Sequence, residues 1–192
     1  MNINDINKNW DFIIGLEIHV QLDCDSKMFS NCLYEYDNAP NSLTCPTSLG
    51  LPGALPSVNQ AAIESAIMFG KAVNGDISKN FTFARKHYFY PDLPKGYQIS
   101  QFDQPIISGG SVPIWWNDQE FLIELTRAHL EEDAAKSFHD NANKKSNVDY
   151  NRSGAALIEI VTEPVLIHPE QAKIFMQRIK QIVNYINISN AE

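Results

Sequence analysis

The chain has 192 residues, of which 44% are hydrophobic and 20% are charged, a length and composition typical of one globular domain. Its formal net charge of −8, from 23 acidic and 15 basic side chains, argues against a module whose main task is to grip a phosphate backbone, because such modules are basic. No stretch approaches the roughly 20 apolar residues of a membrane span, and the first ten residues lack the features of a secretory signal. We therefore expect no membrane contact and a cytoplasmic protein, or one of an organelle matrix if the source is eukaryotic.

The first half of the chain predicts one strand, one long loop and one helix. Residues 12–22 alternate between apolar and polar side chains, as a half-buried strand requires. Prolines and glycines punctuate residues 31–56 and predict a structured loop. Ser57 can cap a helix that runs to about Val73.

The second half predicts mainly short strands and one more helix. Residues 81–103 favour short strands, and 112–116 with 121–130 predict a hairpin around Asn117-Asp118. Two further strands are predicted at 149–151 and 157–162, followed by a helix with Pro169 at its first position. Strands outnumber helices, so the predicted fold class is α+β with a mainly antiparallel sheet platform and flanking helices. The chain ends soon after this helix without a capping or tail signal, which suggests a fragment.

Glu17, His19 and Gln21 share one face of the first predicted strand, because side chains alternate along a strand. A carboxylate and an imidazole in one row can supply part of the ligand set of a magnesium or manganese ion. A solvent-exposed polar face explains the same row and is the more common case in proteins at large.

Two other acidic segments have the same two explanations. Glu131, Glu132 and Asp133 follow a hydrophobic strand and repel one another unless a cation or solvent screens them, so they fit a metal site and a solvated turn equally. Glu159 lies within a run of large aliphatic residues, where burial would raise its pKa or demand a cationic partner. An edge strand that turns Glu159 towards water is the alternative.

Residues 85–90, with Lys95 and Tyr97, interleave basic and aromatic side chains. Such a pattern suits contacts with phosphates and stacking on bases, as for ATP or the acceptor end of a tRNA. Ordinary sheet packing by the aromatic rings, with exposed cations, fits the composition better when it is taken alone.

Six ordered motifs are much more specific than any single constellation. They are GLEIHVQL (15–22), LGLPGALP (49–56), YFYPDLPKGYQISQ (88–101), HLEEDA (129–134), VDYNRSG (148–154) and LIEIVTEP (157–164). Together they resemble the GatB subunit of the aspartyl/glutamyl-tRNA amidotransferase and the related archaeal GatE, along essentially the whole chain from Trp10.

The resemblance implies a cradle domain of the glutamine-synthetase-like type over residues 11–192, truncated at its C-terminal side and preceded by a tail at 1–10. In that family the cradle uses ATP and Mg²⁺ to phosphorylate the side-chain carboxyl of Glu-tRNA(Gln) or Asp-tRNA(Asn). Ammonia from the glutaminase subunit GatA then displaces the phosphate, and GatC braces the two subunits. The family's helical domain and tRNA-binding tail domain are absent here, so we expect this chain to be inactive by itself.

The resemblance also implies the site residues. The catalytic residues and magnesium ligands would be Glu17, His19, Glu132 and Glu159, with Glu131 as an adjacent metal ligand. The implied contacts with ATP phosphates or with the tRNA end are Arg85, Lys86, Lys95 and Arg152. Asp133 and Asp149 would orient those ligands or line the ammonia path.

One departure from the family concerns zinc. Many members place four cysteines around a structural zinc in the 30–48 loop, whereas this chain has Ser30, Cys32, Cys45 and Ser48 at those positions. Two thiolates alone make a poor tetrahedral site, so we expect no zinc. Cys24 brings the cysteine total to three, an odd number that disfavours disulfides in a cytosolic protein.

Two other functions compete with the ligase. The chain could be a non-catalytic scaffold that docks GatA, GatC or tRNA, or an unrelated metal hydrolase, which would explain the acidic residues but not the ordered motifs.

Overall fold

A six-stranded antiparallel sheet with two helices on one face forms the frame of the structure, a computed structural model that describes residues 10–191. The strands are β1 (Glu17–Gln21), β2 (Asp76–Ile77), β3 (Ala84–His87), β4 (Tyr97–Ser100), β5 (Ile107–Ser108), β6 (Ser111–Trp116), β7 (Gln119–Glu132), β8 (Lys136–Asp140), β9 (Lys145–Asp149) and β10 (Ala156–Thr162). The helices are α1 (Gln60–Ala72) and α2 (Pro169–Tyr185).

The strand order of the main sheet is β1-β10-β7-β5-β2, and β6 pairs with the first part of β7. Strands β3 and β4 form a separate hairpin, as do β8 and β9. Every strand pairing within residues 10–191 is antiparallel, which confirms the predicted α+β class.

Register across the three strands β1, β10 and β7 separates an apolar face from a polar face. Val20 lies opposite Ile158, which lies opposite Leu130, and all three are buried in the core with the helices. At the next position along each strand, the side chain points to the opposite, polar face. The alternating pattern predicted for residues 12–22 is therefore present, although the regular strand is shorter and covers only Glu17–Gln21.

The helices pack on the apolar face through aromatic and branched side chains. Phe69 of α1 and Phe175, Ile179 and Val183 of α2 are buried in the same core. Pro169 is the first residue of α2, as predicted, and His168 caps that helix by accepting a hydrogen bond at Nδ1 from the Glu170 N–H.

The predicted cap of the first helix was wrong by two residues. Asn59, not Ser57, is the N-cap of α1, and its side chain accepts a hydrogen bond from the Ala61 N–H at 2.9 Å. The Ser57 N–H instead donates to the Phe29 carbonyl, which keeps this residue in the preceding extended segment.

The β6–β7 hairpin is confirmed. Asn117 and Asp118 form its two-residue turn with φ angles of 52° and 58°. Consecutive positive φ values suit a tight hairpin turn, and Asn and Asp tolerate them better than most residues. Strand β7 continues to Glu132, two residues beyond the predicted end, and this extension brings its last acidic residues into the sheet.

The predicted strand at 149–151 was wrong beyond its first residue. Asp149 ends β9, whereas Tyr150 and Asn151 lie in a turn. The side chain of Asn151 is hydrogen-bonded to the long loop. It accepts from the Leu43 N–H at 2.8 Å and donates to the Ala39 carbonyl at 2.8 Å. Side-chain bonds to a distant loop have no periodicity in the sequence, so strand patterns could not reveal them.

The loop at 31–56 is held from beneath by a buried lysine. Lys27 is 1% exposed, and its ammonium donates to the Leu43 carbonyl at 2.8 Å and to the Tyr150 carbonyl at 3.3 Å.

The tail predicted for residues 1–10 lies, apart from Trp10, outside the described residues. No helix found between Trp10 and Ala191 has the length and apolar character needed to cross a membrane.

Candidate metal centre on the polar face of the sheet

Three strands place two carboxylates and an imidazole together on the polar face. His19 on β1 lies opposite Glu159 on β10, and Glu131 extends from the neighbouring β7. The His19 Nε2 atom is 2.8 Å from Glu131 Oε1 and 3.3 Å from Glu159 Oε2. One ligand atom from each residue lies within 4.8 Å of the other two, a spacing that one metal ion can span. We call these three residues the metal centre.

The metal centre is closed on the β7 side and open on the β1 side. The side chain of Glu131 is 3% exposed, whereas that of His19 is 50% exposed. A ligand from solvent would therefore reach the centre past His19.

A charged histidine compensates the two acids when no metal is bound. Hydrogen bonds to Glu131 and Glu159 raise the pKa of His19 to about 10, against the opposing effect of its partial burial. Hydrogen bonds from His129 and His19 hold the pKa of Glu159 well below its usual range. The two carboxylates thus favour a cation at this position, which a divalent metal ion supplies as well as a protonated imidazole.

The donor set fits a magnesium or manganese ion. Both metals prefer carboxylate oxygens, and manganese also accepts an imidazole nitrogen. Three protein ligands leave further coordination positions for water or for substrate oxygens. The near-complete burial of Glu131 favours a bound cation because a buried carboxylate needs a positive partner.

His129, which was not predicted as a site residue, borders the metal centre, and Arg127 lies further along the same strand. His129, 2% exposed, lies across β10 from His19, with its Nε2 atom 3.4 Å from Glu159 Oε2. Its Nδ1 atom and the Nε atom of Arg127 are buried and have no hydrogen-bond partner among residues 10–191. The sequence carried the signal, since Arg127, His129 and Glu131 alternate along β7 and so share one face.

Glu132 points away from the metal centre. Its carboxylate forms an ion pair with the Lys95 ammonium and accepts a hydrogen bond from the Ile99 N–H at 2.9 Å. Both side chains of the pair are nearly buried, at 3% and 6% exposed. The structure therefore places the predicted ligand Glu132 and the predicted phosphate contact Lys95 together, beneath the β3–β4 hairpin rather than beside His19.

The basic and aromatic hairpin β3–β4 borders the centre at Glu131. The Ser100 hydroxyl donates to Glu131 Oε2 at 3.2 Å. Arg85 and Lys86 are exposed on β3, and the Arg85 guanidinium lies 4.6 Å from the centre of the Tyr97 ring. These two cations face solvent, so they are accessible to a phosphate.

The remaining predicted site residues lie outside the metal centre. Glu17 is exposed on the same strand face as His19 but is not part of the three-residue cluster. Arg152 donates to the Ala134 carbonyl at 3.0 Å and lies 3.4 Å from Asp133, which commits its guanidinium to the loop after β7. Burial raises the pKa of Asp133, and the charge of Arg152 opposes that effect. Asp149 accepts a hydrogen bond from the Asn41 N–H at 2.9 Å and so holds the long loop.

Comparison with known proteins gives one consistent result. Residues 12–192 match the family model described as the GatB/GatE catalytic domain. The chain is 50% identical over 182 residues to the B subunit of the aspartyl/glutamyl-tRNA(Asn/Gln) amidotransferase of Helicobacter hepaticus, which covers 95% of this chain and 38% of that protein.

Proteins of the same name from two other sources are equally similar. The protein from Vesicomyosocius okutanii is 51% identical over 179 residues, 93% of this chain and 38% of its own length. The protein from Methanosarcina mazei is 50% identical over 180 residues, 91% of this chain and 36% of its own length. The chain thus spans less than two fifths of the length of these relatives.

Proposed function

This chain belongs to the family of the GatB/GatE catalytic domain, and on that premise we propose that it is the carboxyl-activating part of a tRNA-dependent amidotransferase. The proposed reaction has two steps. ATP first phosphorylates the side-chain carboxyl of Glu-tRNA(Gln) or Asp-tRNA(Asn), and ammonia then displaces the phosphate to form the amide. The partners we propose are the glutaminase GatA, which supplies the ammonia, the smaller partner GatC, and the mischarged tRNA.

The observation that carries this proposal is the metal centre of His19, Glu131 and Glu159. A free carboxylate is a poor acyl donor because it lacks a leaving group, and phosphorylation supplies one. A divalent metal ion, when bound, neutralises charge on the phosphoryl group that is transferred. The residues of this chain would hold that ion in a fixed place, so their contribution is positioning and electrostatics.

The surrounding residues have separate roles in the proposal. Glu131 and Glu159 would hold the ion, and His19 would be the third ligand, on the solvent-exposed side of the metal centre. Arg85 and Lys86 are the proposed contacts with the phosphates or with the tRNA end because they are the predicted cations that face solvent. Lys95 and Arg152 are paired with Glu132 and Asp133, and we propose that they position the elements beside the centre.

The net charge of −8 sets a limit on how this part of the protein would bind tRNA. An acidic surface repels a phosphate backbone, so the grip on the tRNA body would come from outside this segment. Only the acceptor end would need to reach the metal centre. We propose a cytoplasmic location, where aminoacyl-tRNA is available.

The activity is tested in a full-length GatB protein that carries this segment, co-expressed with GatA and GatC. We expect Mg²⁺-dependent ADP release that requires Glu-tRNA(Gln) or Asp-tRNA(Asn). Glu131→Gln and Glu159→Gln should each abolish that release, whereas Glu17→Gln should leave most of it because Glu17 lies outside the cluster. A stably assembled complex without tRNA-dependent ADP release would refute the catalytic role and indicate a scaffold.

A further inference from the structure

A second reactive cluster lies in the long loop, away from the metal centre. The Cys45 Sγ atom is 3.4 Å from Ser30 Oγ and 3.5 Å from Ser48 Oγ. It also accepts a hydrogen bond from the Ser48 N–H at 3.4 Å. The Cys45 thiol donates to these hydroxyls, and the Ser48 hydroxyl donates to the Cys45 carbonyl at 3.1 Å. When the thiol loses its proton, the Ser48 N–H and the Ser30 hydroxyl can both donate to the sulfur, an arrangement that stabilises a thiolate.

A buried cation adds to this arrangement. The ammonium of Lys27 is held by two backbone carbonyls under the loop, and its charge acts on both Cys32 and Cys45. The Lys27 N–H also donates to the Cys32 carbonyl at 2.9 Å, which fixes the backbone of Cys32 beside the lysine. Reactive cysteines sit in such partly exposed, electropositive surroundings, whereas buried structural cysteines are inert.

The three free cysteines differ in acidity for this reason. Burial would raise the pKa of Cys45, but its hydrogen bonds with Ser30 and Ser48 outweigh that effect and lower the pKa to about 7. Burial raises the pKa of Cys24 to about 11 and also raises that of Cys32. Cys45 is therefore the most acidic of the three thiols.

We propose that Cys45 is a site of reversible oxidation by hydroperoxides and that Cys32 is its resolving thiol. The Cys45 thiolate attacks one peroxide oxygen, the O–O bond breaks, and hydroxide or alkoxide leaves, which converts the sulfur to a sulfenic acid. The Cys32 sulfur then attacks the Cys45 sulfur, an S–S bond forms, and water leaves with the thiol proton. A thiol reductant then converts the disulfide back to two thiols.

Cys32 is suitably placed for this second step. Both residues are partly exposed, and Ser30 contacts each of them. Ser30 supports both residues, since its hydroxyl contacts Cys45 and accepts a hydrogen bond from the Cys32 N–H at 3.4 Å. Cys24 is buried in the core and is not part of this group.

The first test compares thiol reactivity in the 192-residue chain. With iodoacetamide at pH 7, we expect Cys45 to react roughly five- to tenfold faster than Cys24 or Cys32, since a larger thiolate fraction outweighs the lower nucleophilicity of an acidic thiol. Replacing both hydroxyls, Ser30→Ala with Ser48→Ala, should remove most of that advantage. Circular dichroism of each variant confirms that it is folded. Equal labelling of the three cysteines in the folded wild-type chain would overturn the proposal.

The second test follows the products of oxidation by mass spectrometry. After treatment with hydrogen peroxide, wild-type chain should give a peptide pair joined through Cys32 and Cys45, which dithiothreitol separates. Cys32→Ser should instead accumulate a dimedone adduct on Cys45, and Cys45→Ser should give neither product. Cys24→Ser is the matched control and should behave as wild type. A dimedone adduct at Cys24, or a zinc ion bound to Cys32 and Cys45 in the purified chain, would contradict the proposal.

Discussion

At the scale of single residues, His19 supplies the positive charge between two carboxylates. Its imidazolium lies between Glu131 and Glu159, and the pKa of His19 is raised to about 10 by those two contacts. A metal ion that binds at the same carboxylates would have to displace the proton. Metal binding and protonation of His19 therefore compete.

The first prediction concerns the pH dependence of stability without metal. Because the pKa of His19 is raised on folding, the stabilisation by this residue is complete below its unfolded pKa of about 6.5 and is lost as the pH rises through about 10. The difference in free energy of unfolding between wild type and His19→Gln should shrink across that range in urea titrations. The effect should be modest because His19 is half exposed. In a Glu131→Gln, Glu159→Gln background this pH dependence should disappear, and its persistence there would contradict the assignment.

The second prediction concerns His129 as a positioning residue. Its Nε2 atom lies 3.4 Å from Glu159 Oε2 and can hold that carboxylate in place for a metal ion. His129→Leu should weaken Mn²⁺ binding by about tenfold or more, measured by electron paramagnetic resonance of the chain. His129→Gln keeps a donor near the Nε2 position and should restore most of the affinity. Equal loss in both variants would indicate that His129 only fills space.

The N-terminus of α1 leads to a prediction at the scale of elements. Asn59 does more than cap the helix, since its amide nitrogen also donates to the Ser26 carbonyl at 3.0 Å. Asn59→Ala should lower the free energy of unfolding by about 1–2 kcal/mol, in denaturant titrations, because it removes the cap and frees Ser26. Ser57→Ala is the matched control and should have little effect, since only the backbone of Ser57 is bonded.

The junction between strands β4 and β7 leads to a second prediction at this scale. Lys95 and Glu132 form a nearly buried ion pair that ties the β3–β4 hairpin to the main sheet. Lys95→Met should destabilise the fold by about 3–5 kcal/mol because it leaves a buried carboxylate without its cation. Lys95→Met combined with Glu132→Gln should recover part of that loss in thermal unfolding. If the two changes are simply additive, the pair is not coupled.

Sequence patterns predicted local elements better than they predicted the metal centre. The alternation along β1 and the Asn117-Asp118 turn were readable because both depend on neighbouring residues. The pairing of His19 with Glu159, and of Glu159 with His129, depends on strand order, which no local pattern contains. The position of Glu132 could not be read from the sequence either. It depends on β7 continuing as far as Glu132, which places this side chain on a defined face of the sheet.

The whole molecule should respond to metal through its folding equilibrium. His19, Glu131 and Glu159 come from three different strands, and β1 is separated from the other two by most of the chain, so the metal centre exists only in the folded state. Mn²⁺ at about ten times its dissociation constant should stabilise the fold by roughly 1.4 kcal/mol and raise the melting temperature. Glu159→Gln should lose this response and Glu17→Gln should keep it, as measured by differential scanning calorimetry. An equal response in both variants would exclude binding at the centre.

Strand β1 is the outermost strand of the six-stranded sheet, and within residues 10–191 it pairs only with β10. An unpaired strand edge can recruit a strand from another molecule and so start aggregation. Charged side chains on such an edge oppose this growth because a second strand would bring like charges together. Glu17 is exposed at this edge. Glu17 lies outside the three-residue cluster, and its charge is placed to oppose the pairing of this edge with a second strand.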